Sequence, residues 1–454
     1  MKSILPSCGR FTVRASDYLK QDSDVMLGGG TDETELLQAI LDKALEWGGL
    51  HLIVDGAVLV RGLTLHSNTT VECTDQSCGF FLKDGAAKPL VSNAKLSYSH
   101  IHTENIRLLG GTYNLNSPGQ ERMENDPPVI EGDTDKPFNW LMGVKFIGVR
   151  NLTMRDMRLV NQRTFAGLFA NWEHVVVENF AIDLPDNRFA QNQDGLHFWG
   201  PGRDLCIRNI RGGSGDDFMA LAPDEHDLKS DITDVVIDGV YLEDADQGIR
   251  MLSRGPGRLD RVFIRNVYGT YKSCGFFINP WFGKGYGDSK GNYGAITVEN
   301  VNLQQTYDKY GDFCDAFLFR IGGRIQSLTL KNIQTVDPND ARPLVDVSHV
   351  YGSRILSGNF THVSNLTIDG LEVVNHRGTK KKNAYIKVDT RVDNLVVRNV
   401  TVDRSGNEND DTLIRLTEEA QVDALTVRGV LTRGIGKTLE GKANHTLIEG
   451  ELKL

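Results

Sequence analysis

Three carboxylates stand out by type and spacing. Asp194 lies in Asn192-Gln193-Asp194-Gly195-Leu196-His197, and the pair Asp216-Asp217 follows Gly213-Ser214-Gly215. Clustered carboxylates repel one another, which costs stability and favours retention of a proton on one of them. A surface has no need of that arrangement, whereas an acid working with a base does. An isolated Gly-Asp-Asp reads most simply as a polar turn. Asp194, one structural repeat earlier, tips the reading toward chemistry. The six cysteines, Cys8, Cys73, Cys78, Cys206, Cys274 and Cys314, match no metal-ligand spacing. Neither a catalytic metal nor a cofactor is expected. Cys73 and Cys78 could bridge across a turn, but separate thiols packed as small apolar groups is the plainer reading.

The elements that must position these acids are repeats. Two β-favouring apolar residues at alternate positions are followed by a polar residue, then Asn, Asp or Gly, then another apolar residue. Copies begin at Leu152, Val175, Leu205, Val235, Val262, Ile296, Leu328, Leu366, Leu395 and Leu425. They are roughly 30 residues apart, a solenoid-like period. The alternation has the period of a strand. The Asn or Gly falls where a sharp bend is needed, because both tolerate left-handed backbone. No amphipathic helical stretch separates the copies, which excludes helical and leucine-rich repeats and βαβ folds. The pattern predicts an all-β chain, a single-domain right-handed parallel β-helix over 51–454. Residues one coil apart then lie side by side, about 5 Å apart, and the three Asp converge on one patch.

Residues 1–50 differ. Gly28-Gly29-Gly30-Thr31-Asp32-Glu33 opens a predicted helix with Thr31 as its N-cap, and Gly48-Gly49 end it. Leu37, Ile40, Leu41, Ala44 and Leu45 form its apolar stripe. A solenoid has open ends, so this helix is expected to cap the N-terminal one. The glycines precede no Lys-Ser/Thr, which argues against a phosphate loop.

Composition sets outer bounds. The chain has 454 residues, 40% hydrophobic and 24% charged, with a formal net charge of −10. Such values suit a folded protein and exclude wholesale disorder. No long basic stretch points to nucleic acid, and no apolar run is long enough to span a membrane. An acidic substrate would need a locally basic cleft. Met1 to Asp17 has no apolar core and does not read as a signal peptide. The chain as given therefore reads as cytoplasmic, or as secreted if a leader was removed. The sequence does not decide oligomeric state.

The order Asn-x-Asp-Gly, a gap of one coil and Gly-Asp-Asp resembles the polygalacturonase family, glycoside hydrolase family 28, within the pectate-lyase-like β-helix superfamily. The stretch from Gly30 to Gly49 is similar to the opening of those proteins. The motif resemblance is confined to the coils between Phe138 and Phe282. It implies a glycosidase that cleaves a poly- or oligosaccharide with inversion. Asp216 would be the general acid, and Asp194 and Asp217 would hold and deprotonate the attacking water. The family has Gly-His-Gly one coil further on, where this chain has Asp246-Gln247-Gly248, so Gln247 replaces the His. The family's Arg-Ile-Lys, which grips the substrate carboxylate, is matched by Phe277-Ile278-Asn279. That departure implies a sugar preference other than galacturonate.

Further substrate-binding candidates follow from register. His197 should face outward if Leu196 faces inward. Asn192 lies within the first motif, Arg250 on the coil of Gln247, and Arg163 on the coil before Asp194. Either Arg can bind an anionic substituent through two hydrogen bonds, or be plain solvated surface. Asn279 and Trp281 fall on the next coil, and Trp140, Trp172 and Trp199 near the others. Sugars stack on aromatic faces, although a Trp in such a fold more often serves packing. Two other function classes share the scaffold. One is a polysaccharide lyase, with the acids binding Ca²⁺ and Arg250 abstracting a proton. The other is a non-catalytic glycan-binding adhesin or spike.

Overall fold

The computed structural model describes residues 11–120, 142–185, 192–227, 229–280, 290–306, 317–338, 342–348, 361–376, 384–406 and 410–454. Nearly all regular structure among them is β. The helices are α1 (Thr34–Leu41), α2 (Lys43–Trp47) and two single 3₁₀ turns. No described helix is long and apolar enough to cross a membrane. The chain divides into two compact units, Met1–Met219 and Ala220–Leu454.

In the first unit the described strands pair in parallel, and each step joins one repeat to the next. Leu152 pairs with Val175 and Val175 with Leu205, so the starts of the sequence pattern stack directly. A second ladder runs from Leu63–Leu65 through Val91–Asn93, Val144–Arg155 and Gly167–Asp183 to Leu196–Trp199. The second unit repeats the arrangement. Val235, Val262, Ile296, Leu328, Leu366, Leu395 and Leu425 pair in succession.

Alternation decides what is buried. Leu152, Met154, Val175, Val177, Leu205 and Ile207 form inner columns and are all fully buried. Each such side chain contributes about 1.5–3 kcal/mol of burial. The bend residue of every copy has left-handed backbone, from Asp156 (φ 58°) and Asn179 (φ 51°) to Asn399 (φ 55°) and Gly429 (φ 62°). Their amides also bond from coil to coil. Asn209 donates to Asn179 at 3.1 Å and Asn179 to Asp156 at 2.8 Å. The pattern residue chosen for its backbone thus also satisfies its neighbour's side chain.

The N-terminal helix starts later than Thr31. Thr31 instead donates its amide and hydroxyl to Asp22, at 2.7 and 2.9 Å. The first turn is held by Asp32, which accepts from the Thr34 amide at 3.1 Å. A break at Asp42 separates α1 from α2, and Gly48, with φ 73°, ends the second. Leu37, Leu41 and Ala44 are buried, Ile40 is half-buried and Leu45 is exposed. Gln38 replaces a strand neighbour: its amide group donates to the Thr64 carbonyl at 3.0 Å and accepts from the Thr64 amide at 2.9 Å. Cys73, Cys78 and Cys274 are free thiols. Cys8 and Cys314 lie outside the described residues.

Candidate active site

In the first unit, backbone bonding fixes the relation between the acids. The Gly195 amide donates to the Asp217 carbonyl at 2.9 Å, and the Ala166 amide to the Asp194 carbonyl at 2.9 Å. In a parallel ladder this pattern sets Asp194 beside Asp217 on the neighbouring strand, with Phe165 on its other side. Adjacent strands put the two about 5 Å apart. A Cβ on Gly195 would come within 2.2 Å of the Phe218 carbonyl, so only glycine permits this approach. Asp216 reaches back to the same coil, where its carboxylate accepts from the Asn192 amide at 3.1 Å. Asn192 has φ 61°, a left-handed conformation that Asn tolerates and that turns its N–H toward the acid. Asp216 is half-buried, whereas Asp194 and Asp217 are 2% and 8% exposed.

His197 occupies the outer column of its strand, in register with Leu168, Lys145, Ser92 and Thr64. Leu196 lies on the inner column with Gly167 and Val144, as the alternation predicts. His197 is nevertheless only 4% exposed. Its ring stacks on Phe165 with centroids 4.4 Å apart and meets the Trp199 edge at 6.0 Å. Its Nδ1 is 2.8 Å from Asp194 Oδ2. Arg163 is half-buried and donates through Nε to the Gln120 carbonyl at 3.3 Å.

A row of buried glutamines, which no sequence motif singles out, bonds the coils around these acids together. Gln193 donates to the Gln162 carbonyl at 2.9 Å, and Gln162 to the Asp194 carbonyl at 3.4 Å. Both are fully buried. The available signal was the recurrence of Gln within Asn161-Gln162 and Asn192-Gln193 on successive coils. Trp172 and Trp199 are buried at 1% and 2%, which is packing. Trp140 and Trp281 lie outside the described residues.

In the second unit, Arg250 heads an outer column in register with Phe277, Arg320, Asp346, Lys387 and Arg415. Its guanidinium carbon is 3.7 Å above the Phe277 ring. Arg250 is 4% exposed, and its Nη1 has no hydrogen-bond partner among the described residues. Asn279, 1% exposed, likewise has no partner for Nδ2. Gln247 is 3% exposed and pairs in register with Cys274.

The turn after the Arg250 strand is fixed by Asp224, a residue the sequence did not flag. Fully buried, it accepts from the amides of Arg254, Gly255 and Gly257 at 2.7, 2.6 and 3.1 Å. Burial pushes its carboxyl up to about 6, against the pull of those donors. No cluster of His, Cys, Asp and Glu suited to a metal ion occurs among the described residues.

Known proteins bear on this arrangement. No family model matches the chain. An exopolygalacturonase of Cochliobolus carbonum is 26% identical over 262 residues, covering 55% of this chain and 49% of that protein. Over that stretch the chain is similar to a polygalacturonase. Its match spans about half the length of that relative. The structure of the family 28 exopolygalacturonase of Yersinia enterocolitica agrees with a TM-score of 0.54 at 14% identity, covering 91% of this chain and 78% of that one. The tailspike of E. coli bacteriophage HK620, in complex with a pentasaccharide, gives 0.57 at 12% identity, covering 93% and 75%. These two likenesses concern the fold, a parallel β-helix. Asn192, Asp194, Asp216 and Asp217 are brought together within the first unit. Gln247, Phe277 and Asn279 belong to the second.

Proposed function

We propose that the chain is a glycoside hydrolase acting on a pectin-like or other plant or algal glycan, with inversion. Asp216 protonates the leaving glycosidic oxygen as the C–O bond breaks. Asp194 and Asp217 hold a water, which attacks the anomeric carbon from the opposite face and gives them its proton. Inverting enzymes leave roughly 6.5–9.5 Å between acid and base to admit that water. The observation that carries the reading is the pairing of Asp194 with Asp217 on adjacent strands, with Asp216 tied to the Asn192 amide. The relationship to an exopolygalacturonase supports it. Arg163 and Asn192 of the first unit, and Gln247, Arg250, Asn279 and Trp281 of the second, are proposed to serve substrate binding. Within each unit we read the coils as right-handed, and α1 and α2 as the N-terminal cap.

The test is a panel of plant and algal polysaccharides, reading both released reducing ends and the near-ultraviolet absorbance of unsaturated products. Hydrolysis releases reducing ends without that absorbance, unaffected by a chelator. Absorbing products that require Ca²⁺ would establish the lyase instead. Asp194→Asn, Asp216→Asn and Asp217→Asn each keep shape and remove the ionisable group. Each is expected to lose about 10²–10⁴ in rate. Wild-type turnover in all three would end the enzymatic reading of these residues.

A further inference from the structure

His197 is too enclosed to be a free sugar ligand, and its surroundings define another task. Its side chain is 5% exposed and that of Asp194 3%. A carboxylate this far from water is costly unless charge-paired or hydrogen-bonded. Here Oδ2 meets His197 Nδ1 at 2.8 Å. The bond is held from both ends. Phe165 lies flat on the imidazole at an interplanar angle of 16°, and Trp199 stands at its edge. The Asp194 backbone is tied to Ala166 through its carbonyl, and the next residue's amide is tied to Asp217. When Asp194 is ionised, Nδ1 must carry the proton in this contact, which fixes the ring's tautomer or its charged form.

We propose that His197 is a positioning residue for Asp194: its Nδ1–H holds the carboxylate ionised and oriented toward the water that Asp194 shares with Asp217. The inference rests on the reading of Asp194 as a water-activating base. Asp216 and Asp217, on one neighbouring segment, add negative field, and Arg163, two residues before Phe165 on the other, is the cation on that side. A donor at Oδ2 therefore favours the ionised form of Asp194 where those two carboxylates disfavour it. The apolar Phe165 face fixes the ring without competing for its proton.

Two substitutions separate position from bulk. His197→Phe keeps an aromatic ring on Phe165 and removes the donor. His197→Asn places a donor near the position of Nδ1. On the best glycan of the panel, His197→Phe should lose on the order of 10²-fold in kcat, the scale of a misplaced reacting group. Its KM should stay within about twofold, since the lost interaction belongs to the transition state. The acidic limb of its pH–rate profile should move to higher pH, because the base has lost its donor. His197→Asn should recover most of the kcat and the limb.

A wild-type kcat and limb in His197→Phe overturns the proposal. So does a rise in KM at unchanged kcat, which makes His197 a sugar contact. Asp194→Asn distinguishes the two levels. If that variant is inactive while His197→Phe is normal, only the positioning role fails; if Asp194→Asn turns over normally, the underlying reading fails as well. A further readout needs neither turnover nor a foldable Phe variant. In ¹⁵N-histidine-labelled wild-type protein, His197 should carry its proton on Nδ1 through the neutral range, and Asp194→Asn should abolish that preference. A bare Nδ1 in the wild type overturns the proposal.

Discussion

Arg250 should be nearly dispensable for folding and costly to lose for binding. Its Nη1 is buried without a partner among the described residues. Leaving such a donor unmade costs about 1–3 kcal/mol. The guanidinium recovers part of this from the Phe277 face, 3.7 Å below it. That contact contributes about 2 kcal/mol when desolvated. The two roughly cancel, so Arg250→Met, which keeps the apolar stem, should change stability by less than about 1 kcal/mol. A residue so placed gains its worth from a ligand. An anionic sugar substituent would accept a charged hydrogen bond of about 1.5–3 kcal/mol. Its loss lowers affinity about 10- to 150-fold, at 1.4 kcal/mol per decade. Urea unfolding checks the first number. Calorimetry with a carboxylated or sulfated oligosaccharide, beside a neutral one of equal length, checks the second. Arg250→Lys should rescue only part, because an ammonium lacks the planar fork. Loss of several kcal/mol of stability with unchanged affinity for the acidic ligand would show Arg250 to be structural and refute this reasoning.

Polygalacturonate should be turned over far more slowly than the best substrate of the panel, because the resemblance matches Phe277 and Asn279 of this chain to the family's two cations; comparable turnover would mean that other residues supply the grip. Asp224 gives a pH signature of definite sign. Its carboxyl is raised from 3.8 to about 6 in the folded protein, so its contribution is present below about pH 4 and is lost as pH rises through 6. At 1.36 kcal/mol per unit, the stability of wild type relative to Asp224→Asn should fall by about 3 kcal/mol between pH 4 and 7; a flat difference in urea unfolding contradicts this. The Arg404–Asp411 pair, 2.6 Å apart with both side chains fully buried, provides a double-mutant cycle. Asp411→Asn should cost about 3–5 kcal/mol, and Arg404→Met with Asp411→Leu markedly less. Equal losses would mean that packing, not the stranded charge, sets the cost.

The fold was legible because its signal is local and repeated. An apolar residue at alternate positions is buried wherever strands stack, and Asn or Gly at the bend is needed whichever coil follows. The starts of the pattern therefore pair one after another, Leu328 with Leu366 and Leu366 with Leu395. Coil stacking also made Asp194 and Asp217 neighbours on paper, since their separation in sequence is one turn of the repeat. Cap and enclosure were not legible. Whether Thr31 or Asp32 holds the first helical turn depends on Asp22, nine residues before Thr31, competing for the Thr31 amide.

The alternation along the strand assigns His197 to the outer column, but exposure is not a property of one strand. It depends on Phe165, brought alongside from 32 positions earlier, and on Trp199 at the ring edge. Arg250 over Phe277 is of the same kind. Sequence supplied two residues a coil apart, and only the register of their strands set the Arg250 cation on the Phe277 ring. Composition and period determine which atoms can be brought together. The three-dimensional packing of side chains from several coils decides which of them remain in water, and hence which can donate, hold charge or bind.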